Sequence, residues 1–198
     1  MTLLELIARA EERDLAVSAI ACLDRCLPQP EDGRDPEPLR PLRTGPADGA
    51  DWAARLDAVH TALEGPAAGD PTAARVRALL GAAPRDPGAG PLRAWADACS
   101  LFALDVHRRY DVPAAGGGPE PAGDPRAVGA AGAGPLLTGE LLRQGEILEG
   151  LAGSVGAEGR ATGLRRALDL SAEGRRVLRA VVSRRARGGG RPGGVPQR

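Results

Sequence analysis

Apolar residues recur at helical spacing along this chain, and no segment sustains the period-two alternation of a β-strand. The clearest stripe runs from Pro91 to Tyr110, where six apolar positions fall within about 80° of one another on a helical wheel. It gathers three of the four aromatic residues in the sequence. We therefore expect an all-α fold with this segment as its central helix. The stripe consists of Leu92, Trp95, Cys99, Phe102, Val106 and Tyr110.

Capping residues and helix breakers mark three further helices in the first half of the chain. Thr2 and Glu5 have the spacing of a capping box, and the stripe that follows ends before Pro28. This stripe changes phase near Arg13 and fits either one helix or two. A second helix is predicted over 51–64, and a third starts at Pro71 behind an Asp70 cap and ends at Gly81.

The second half of the chain predicts three more helices. Thr138 is positioned to cap a helix that runs to about Ala152, before a group of glycines. Thr162 precedes a short helix, and Ser171 is positioned to cap a last helix that ends near Arg187. Residues 160–169, a turn at 170–171 and residues 172–187 have the proportions of a helix-turn-helix.

Two segments rich in proline and glycine interrupt these helices. Residues 28–49 hold six Pro and three Gly, and residues 111–135 hold five Pro and seven Gly. Such composition predicts disordered linkers without regular structure. We therefore expect about seven helices in a small irregular bundle. Residues 1–112 form its N-terminal part, 113–135 a disordered linker, 136–187 a C-terminal part that packs on the first, and 188–198 a disordered basic tail.

The composition excludes several classes of enzyme. The chain has no lysine, and P-loops, Schiff-base sites and protein kinases all need one. Metalloprotease and hydrolase motifs are also missing. Residues 188–193 match the dinucleotide-binding pattern GxGxxG, but they lie in a glycine-rich tail and not between a strand and a helix. We predict no catalytic residues and no cofactor.

The three cysteines, Cys22, Cys26 and Cys99, are candidate metal ligands. The first two are four positions apart, a spacing that places two thiolates on one helix face, but both coincide with the apolar stripe. A reduced cysteine packs as a small hydrophobe. We therefore predict core packing and no metal site.

Each histidine has a carboxylate within one helical turn, which resembles an oriented general base. The pairs are His60 with Asp57 and His107 with Asp111. No nucleophile motif accompanies them, so we interpret both as solvated pairs on helix surfaces. Glu146 and Glu149 are likewise predicted to be exposed.

The beginning of the chain carries charged residues where a signal peptide would need an apolar run. The longest uncharged run, residues 127–139, is too short and too rich in glycine to cross a bilayer. An odd set of cysteines without framework spacing suits a reducing compartment. We expect a cytoplasmic protein without membrane contact.

Charge is divided unequally along the chain. Residues 1–159 carry 24 acidic residues against 15 arginines, whereas residues 160–198 carry 11 arginines against two acidic residues. The basic end could bind nucleic-acid phosphates, bind an acidic partner protein or fold back on the acidic body. The candidate contact residues are Arg175, Arg176, Arg179, Arg184, Arg185 and Arg187.

Two functions follow as hypotheses. Leu, Ile, Val and Phe make up only 40 of the 198 residues, so the core is small and a protein partner or a second copy could complete it. The first hypothesis is a non-enzymatic helical protein that acts through protein–protein contacts. The alternative is a nucleic-acid-associated regulator that uses the basic C-terminal helix and tail.

Overall fold

The predicted all-α class is confirmed. A computed structural model describes residues 1–27, 37–43, 51–64, 70–86, 88–112, 123–129 and 133–189, and these ranges contain nine helices and no strand. The helices are α1 (Leu3–Arg9), α2 (Glu12–Cys26), α3 (Arg40–Arg43), α4 (Asp51–Ala62), α5 (Pro71–Gly81), α6 (Ala89–Arg109), α7 (Pro125–Val128), α8 (Pro135–Ala152) and α9 (Gly156–Gly189).

Two short helices occur where regular structure was not expected, so the prediction is wrong at those places. The first, α3, is anchored by Leu39 just before it and by Leu42 within it, both fully buried. The second, α7, starts at a proline, and the Asp124 side chain caps it by accepting from the Arg126 amide. Buried leucines and a side-chain cap thus allow short helices to form within segments of high Pro/Gly content. Residues 28–36, 44–49, 113–122 and 130–132 of the predicted linkers lie outside the described residues.

The first apolar stripe forms two helices, which settles the alternative that the sequence left open. The capping box of α1 is present: Thr2 Oγ1 accepts from the Glu5 amide at 3.3 Å, and the Thr2 amide donates to Glu5 Oε2 at 2.8 Å. Ala10 and Glu11 then adopt extended backbone angles. The break therefore lies slightly before the phase change of the stripe.

The start of α8 differs from the prediction of a Thr138 cap. The helix begins at Pro135, and its free amides are satisfied by a residue distant in sequence. The Asp111 carboxylate accepts from the Leu136 amide at 3.1 Å and from the Leu137 amide at 2.9 Å. A Cβ atom on Gly134 would collide with this carboxylate. The cap is therefore tertiary, and it joins the end of α6 to the start of α8.

The two predicted helices at the C-terminal end are one continuous helix, α9, so the helix-turn-helix proportions are wrong. Ser171 is not an N-cap. Its hydroxyl donates to Ala21 O at 3.3 Å and to Asp24 Oδ2 at 3.0 Å inside the contact with α2. The hydroxyl that was expected to cap a new helix is therefore hydrogen-bonded to α2 instead. The helix reaches Gly189, beyond the predicted start of the tail, and residues 190–198 lie outside the described part of the chain.

The core is organised around α2 and α6. Five positions of the predicted α6 stripe are buried and Tyr110 is half-buried. The Trp95 indole donates to Leu79 O at 2.8 Å and meets Trp52 edge-on, with ring centroids 6.1 Å apart. Helix α2 packs against α6, α8 and α9 at once. Because it is covered on several sides, even its charged residues Asp24 and Arg25 are buried.

In the described ranges, no helix combines the length and the apolar character that a membrane crossing requires. The long helix α9 carries charged residues along its whole length.

Candidate interaction helix

The strongest polar contact of the core joins α2 to α8. Arg25 Nε donates to Glu140 Oε2 at 2.9 Å, and Arg25 Nη2 donates to Glu140 Oε1 at 2.6 Å. Neither side chain has exposed surface. Such a two-pronged pair compensates for the desolvation of both charges only when its geometry is good and the remaining atoms are also bonded.

Neighbouring groups complete that requirement for Glu140. Gln144 Nε2 donates to Glu140 Oε1 at 2.8 Å, and Ser100 Oγ donates to Gln144 Oε1 at 2.5 Å. Burial alone would raise the pKa of Glu140, but the positive charge and hydrogen bonds of Arg25 outweigh it and hold this pKa at about 2. The carboxylate is therefore ionised and fixed, which makes it a structural group and a poor proton carrier near neutral pH.

His107 does not form the predicted surface pair with Asp111. Its side chain is buried, and Nδ1 lies 2.8 Å from Ala103 O in the preceding turn of α6. Its Nε2 faces Glu140 Oε2 at 3.5 Å. Burial lowers the pKa of His107, although the nearby carboxylate opposes this effect. The prediction failed because the last turns of α6 are covered by α8, which the sequence of α6 does not reveal.

In the other predicted pair, Asp57 gains a further partner. Asp57 forms an exposed ion pair with Arg85, which follows α5, and His60 is half-buried. Arg85 and His60 both lower the pKa of Asp57, Arg85 chiefly through its hydrogen bond. Glu146 and Glu149 are exposed, as predicted.

All three cysteines are buried, as predicted for core packing. Burial raises the pKa of Cys22 to about 12, and it raises the pKa values of Cys26 and Cys99 well above their ordinary value. Cys22 Sγ accepts a hydrogen bond from Arg25 Nη2 at 3.4 Å. Protonated, enclosed thiols are poor nucleophiles and poor metal ligands. Among the described residues, no group of three or more His, Cys, Asp and Glu side chains is placed to hold a metal ion.

The six arginines predicted as contact residues fall into two groups. The first group, Arg175 and Arg185, forms contacts with other parts of the chain. Arg175 Nη1 lies 3.3 Å from Asp24 Oδ1 across the contact between α9 and α2, and Arg43 pairs with the same carboxylate. This part of the basic helix therefore folds back on an acidic residue of the body.

Arg185 holds the far end of α9 in place. Its guanidinium donates to Arg109 O at 3.3 Å and to Asp111 O at 2.9 Å, where α6 ends. It also lies over the Tyr110 ring, 6.0 Å from the centroid. A cation is favoured at this position because the carbonyl groups at a helix C-terminus carry partial negative charge.

The second group points to solvent and is called the arginine face below. Arg176 and Arg187 are eleven residues apart, which is three helical turns or about 16 Å along the same side of α9. Arg179 and Arg184 lie on either side of the line between them. All four side chains are exposed, whereas Leu178 on the opposite side of the helix is buried. No acidic residue follows Glu173 in the chain.

Sequence reasoning missed the Arg25–Glu140 network. The two residues are 115 positions apart, and nothing in the local pattern of α8 marks Glu140 as internal. One signal was available in α2, where apolar residues occur on more than one face. A helix that is apolar on several sides is buried, so its charged residues need internal partners.

The chain was also compared with known proteins. No family model, no curated protein and no solved structure matches it.

Proposed function

We propose that this protein acts without catalysis, through protein–protein contacts made by the arginine face of α9. The observation that carries the proposal is the exposure of Arg176, Arg179, Arg184 and Arg187 along one side of a helix that is anchored in the core at Leu178. Arginine is the cation most suited to protein interfaces, because its planar guanidinium makes several hydrogen bonds at once.

The arginine face belongs to a firmly held helix. Arg175 binds Asp24 just before it, Arg185 binds the end of α6 within it, and Leu178 packs into the main core. These contacts hold the backbone beside Arg176 and Arg179, and Arg185 adds hydrogen bonds to the end of α6 beside Arg184. A surface that is preorganised loses less conformational entropy when a partner binds.

The groups best suited to chemistry are engaged elsewhere. Glu140 is neutralised by Arg25, and the cysteine thiols are enclosed and protonated at neutral pH. These side chains stabilise the packing of α2, α6 and α8 and do not open to solvent. This arrangement supports a binding role.

The experiment replaces the four arginines of the face with glutamine, which removes the charge and keeps a good helix former. The matched control removes four exposed arginines elsewhere, Arg75, Arg160, Arg165 and Arg166. Tagged forms of both variants and the wild type are used to capture proteins from the cells in which the chain is made. We expect a partner, identified by mass spectrometry, to be retained by the wild type and the control only.

Equal retention by all three forms would place the contact on another surface. If no partner is retained, and sedimentation shows a strict monomer at high micromolar concentration, the proposal is wrong. Circular dichroism of each variant must match the wild type, since all replaced side chains are exposed and the fold is expected to persist.

Nucleic-acid binding is the second candidate, favoured by the absence of acidic residues after Glu173. Phosphate contacts release counterions, so binding should weaken with salt with a log–log slope of about −0.9 for each phosphate neutralised on duplex DNA. Removing residues 184–198 should reduce this slope. If neither DNA nor RNA is retarded at about 50 mM salt, a condition that favours electrostatic binding, this candidate is excluded.

A further inference from the structure

We infer that the arginine face binds an acidic α-helix of a partner protein, with carboxylates on both sides of a narrow seam of small residues. This inference rests on the proposed function, and it adds the chemical class and the shape of the partner.

The centre of the face is shallow and flanked by charge. Ala180 and Ser183 lie between the four arginines on the solvent side of α9, and both are half-buried. The axes of two packed helices are usually about 8–10 Å apart, depending on the side chains at the contact. Small residues allow a distance in the lower part of this range. Arg179 and Arg184, on either side of these two residues, then reach carboxylates at the flanks of the approaching helix, as flanking charges do in coiled coils. Arg176 and Arg187 lie beyond the two ends of the seam and reach carboxylates further along the partner helix.

An apolar residue borders the face. Val177 is 38 % exposed although it is a large hydrophobic side chain, and it lies on the same side as Arg184. A protein helix can cover this side chain with an apolar residue of its own, whereas a phosphate backbone gains nothing from it. The combination of guanidinium groups with an exposed valine therefore favours a protein partner over a nucleic acid.

The negative charge of the rest of the chain disfavours binding of a long polyanion. The face is about 16 Å long, whereas residues 1–159 carry 24 acidic residues against 15 arginines. A duplex carries a charge about every 1.7 Å and continues past the face onto this acidic body. Base stacking would need accessible aromatic rings, but three of the four aromatics are buried and Tyr110 is half-buried beneath Arg185.

The test measures fluorescence anisotropy with a labelled helical peptide of about 18 residues, a length at which an alanine-rich helix forms. The peptide carries glutamates on both sides of a row of apolar residues, and a second peptide has glutamine in place of each glutamate. A DNA duplex of about 20 base pairs is the third probe. The proteins are the wild type, the four-glutamine variant of the arginine face and the control variant at Arg75, Arg160, Arg165 and Arg166.

We expect the wild type and the control to bind the glutamate peptide, and the arginine-face variant to bind it about tenfold more weakly or worse. The glutamine peptide and the duplex should bind more weakly than the glutamate peptide. Val177→Ala should weaken peptide binding and leave duplex binding unchanged.

Two outcomes overturn the inference. In the first, the duplex binds more tightly than the peptide and its binding depends on the same four arginines. In the second, the glutamate peptide binds no better than the glutamine peptide. If in that case the arginine-face variant still loses a native partner in the capture experiment, the proposed function stands and only the acidic helix is wrong. If the arginine-face variant also retains the native partner, both the acidic-helix inference and the proposed function are wrong.

Discussion

Arg25 and Glu140 form a doubly hydrogen-bonded ion pair that has no exposed side-chain surface, although 115 positions separate them in the chain. The pair ties α2 to α8, and α9 crosses it closely: a Cβ atom on Gly174 would lie 2.5 Å from Arg25 Cδ. The pair therefore lies at the place where α2, α8 and α9 pack together.

Removing either partner of this pair should leave an uncompensated buried charge. We expect Arg25→Met or Glu140→Leu to lower the free energy of unfolding by about 3–5 kcal/mol. The double variant should be more stable than the sum of the two single losses implies, because it leaves neither partner of the pair buried without the other. Urea denaturation of the four proteins measures this coupling, and additive losses would show that the pair does not act as a unit.

Phe102→Ala tests α6 as the central helix. The ring is 7 % exposed, and truncating a buried ring costs about 3–5 kcal/mol, comparable to the whole stability of a small domain. We expect this variant to be largely unfolded in thermal melts. Its neighbour Leu101 is 43 % exposed, so Leu101→Ala should change the melting temperature little. A stable Phe102→Ala protein would contradict the described core.

Acid should destabilise the fold in two steps. The pKa of His107 is lowered from 6.5 in the folded state, mainly by burial, so the unfolded chain takes up a proton first as the pH falls below 6.5. The pKa of Glu140 is about 2 against an ordinary 4.5, so its contribution is present above pH 4.5 and is lost as the pH falls towards 2.

Urea midpoints measured against pH check both steps. We expect His107→Gln to remove the decline that begins near pH 6.5, whereas His60→Gln, at a half-buried position, should retain it. If the two variants show the same pH profile, His107 is not the group responsible.

The cysteines should be inert in the folded protein. Burial raises the pKa of Cys22 to about 12 and also raises those of Cys26 and Cys99, so little thiolate is present at pH 8. We expect a thiol reagent to modify none of them in the native state and all three in guanidinium chloride. Cys22→Ala and Cys26→Ala should each cost less stability than Phe102→Ala. Stoichiometric zinc in the purified protein, lost in either variant, would refute the assignment to packing.

The cap at the start of α8 predicts an effect far from that helix in sequence. Asp111→Ala removes the acceptor of the Leu136 and Leu137 amides and should cost about 1 kcal/mol. Gly134→Ala should have a similar effect, since the added methyl group displaces the same carboxylate. Thr138→Ala, at the position that the sequence suggested as the cap, should cost less. Equal losses for Thr138→Ala and Asp111→Ala would contradict the tertiary cap.

Local chemistry in the sequence determined much of the helical framework. The capping box at Thr2, the Asp70 cap before Pro71 and the apolar stripe of α6 were readable because each acts within one helix. The six arginines proposed as contact residues were selected by charge segregation alone, which depends only on composition along the chain. These features can be recognised in the sequence without knowing which helices pack together.

The tertiary structure decided which of those residues are available to a partner. Arg175 and Arg185 are drawn into contacts with Asp24 and the end of α6, which leaves Arg176, Arg179, Arg184 and Arg187 exposed. Packing against α2 also turned Ser171 from an expected cap into an internal donor, so that α9 continues unbroken. The physical reason is the same in each case: a polar group takes the partner that spatial neighbours provide, and buried groups must take one. Sequence spacing shows neighbours within a helix but not the helix packed against it.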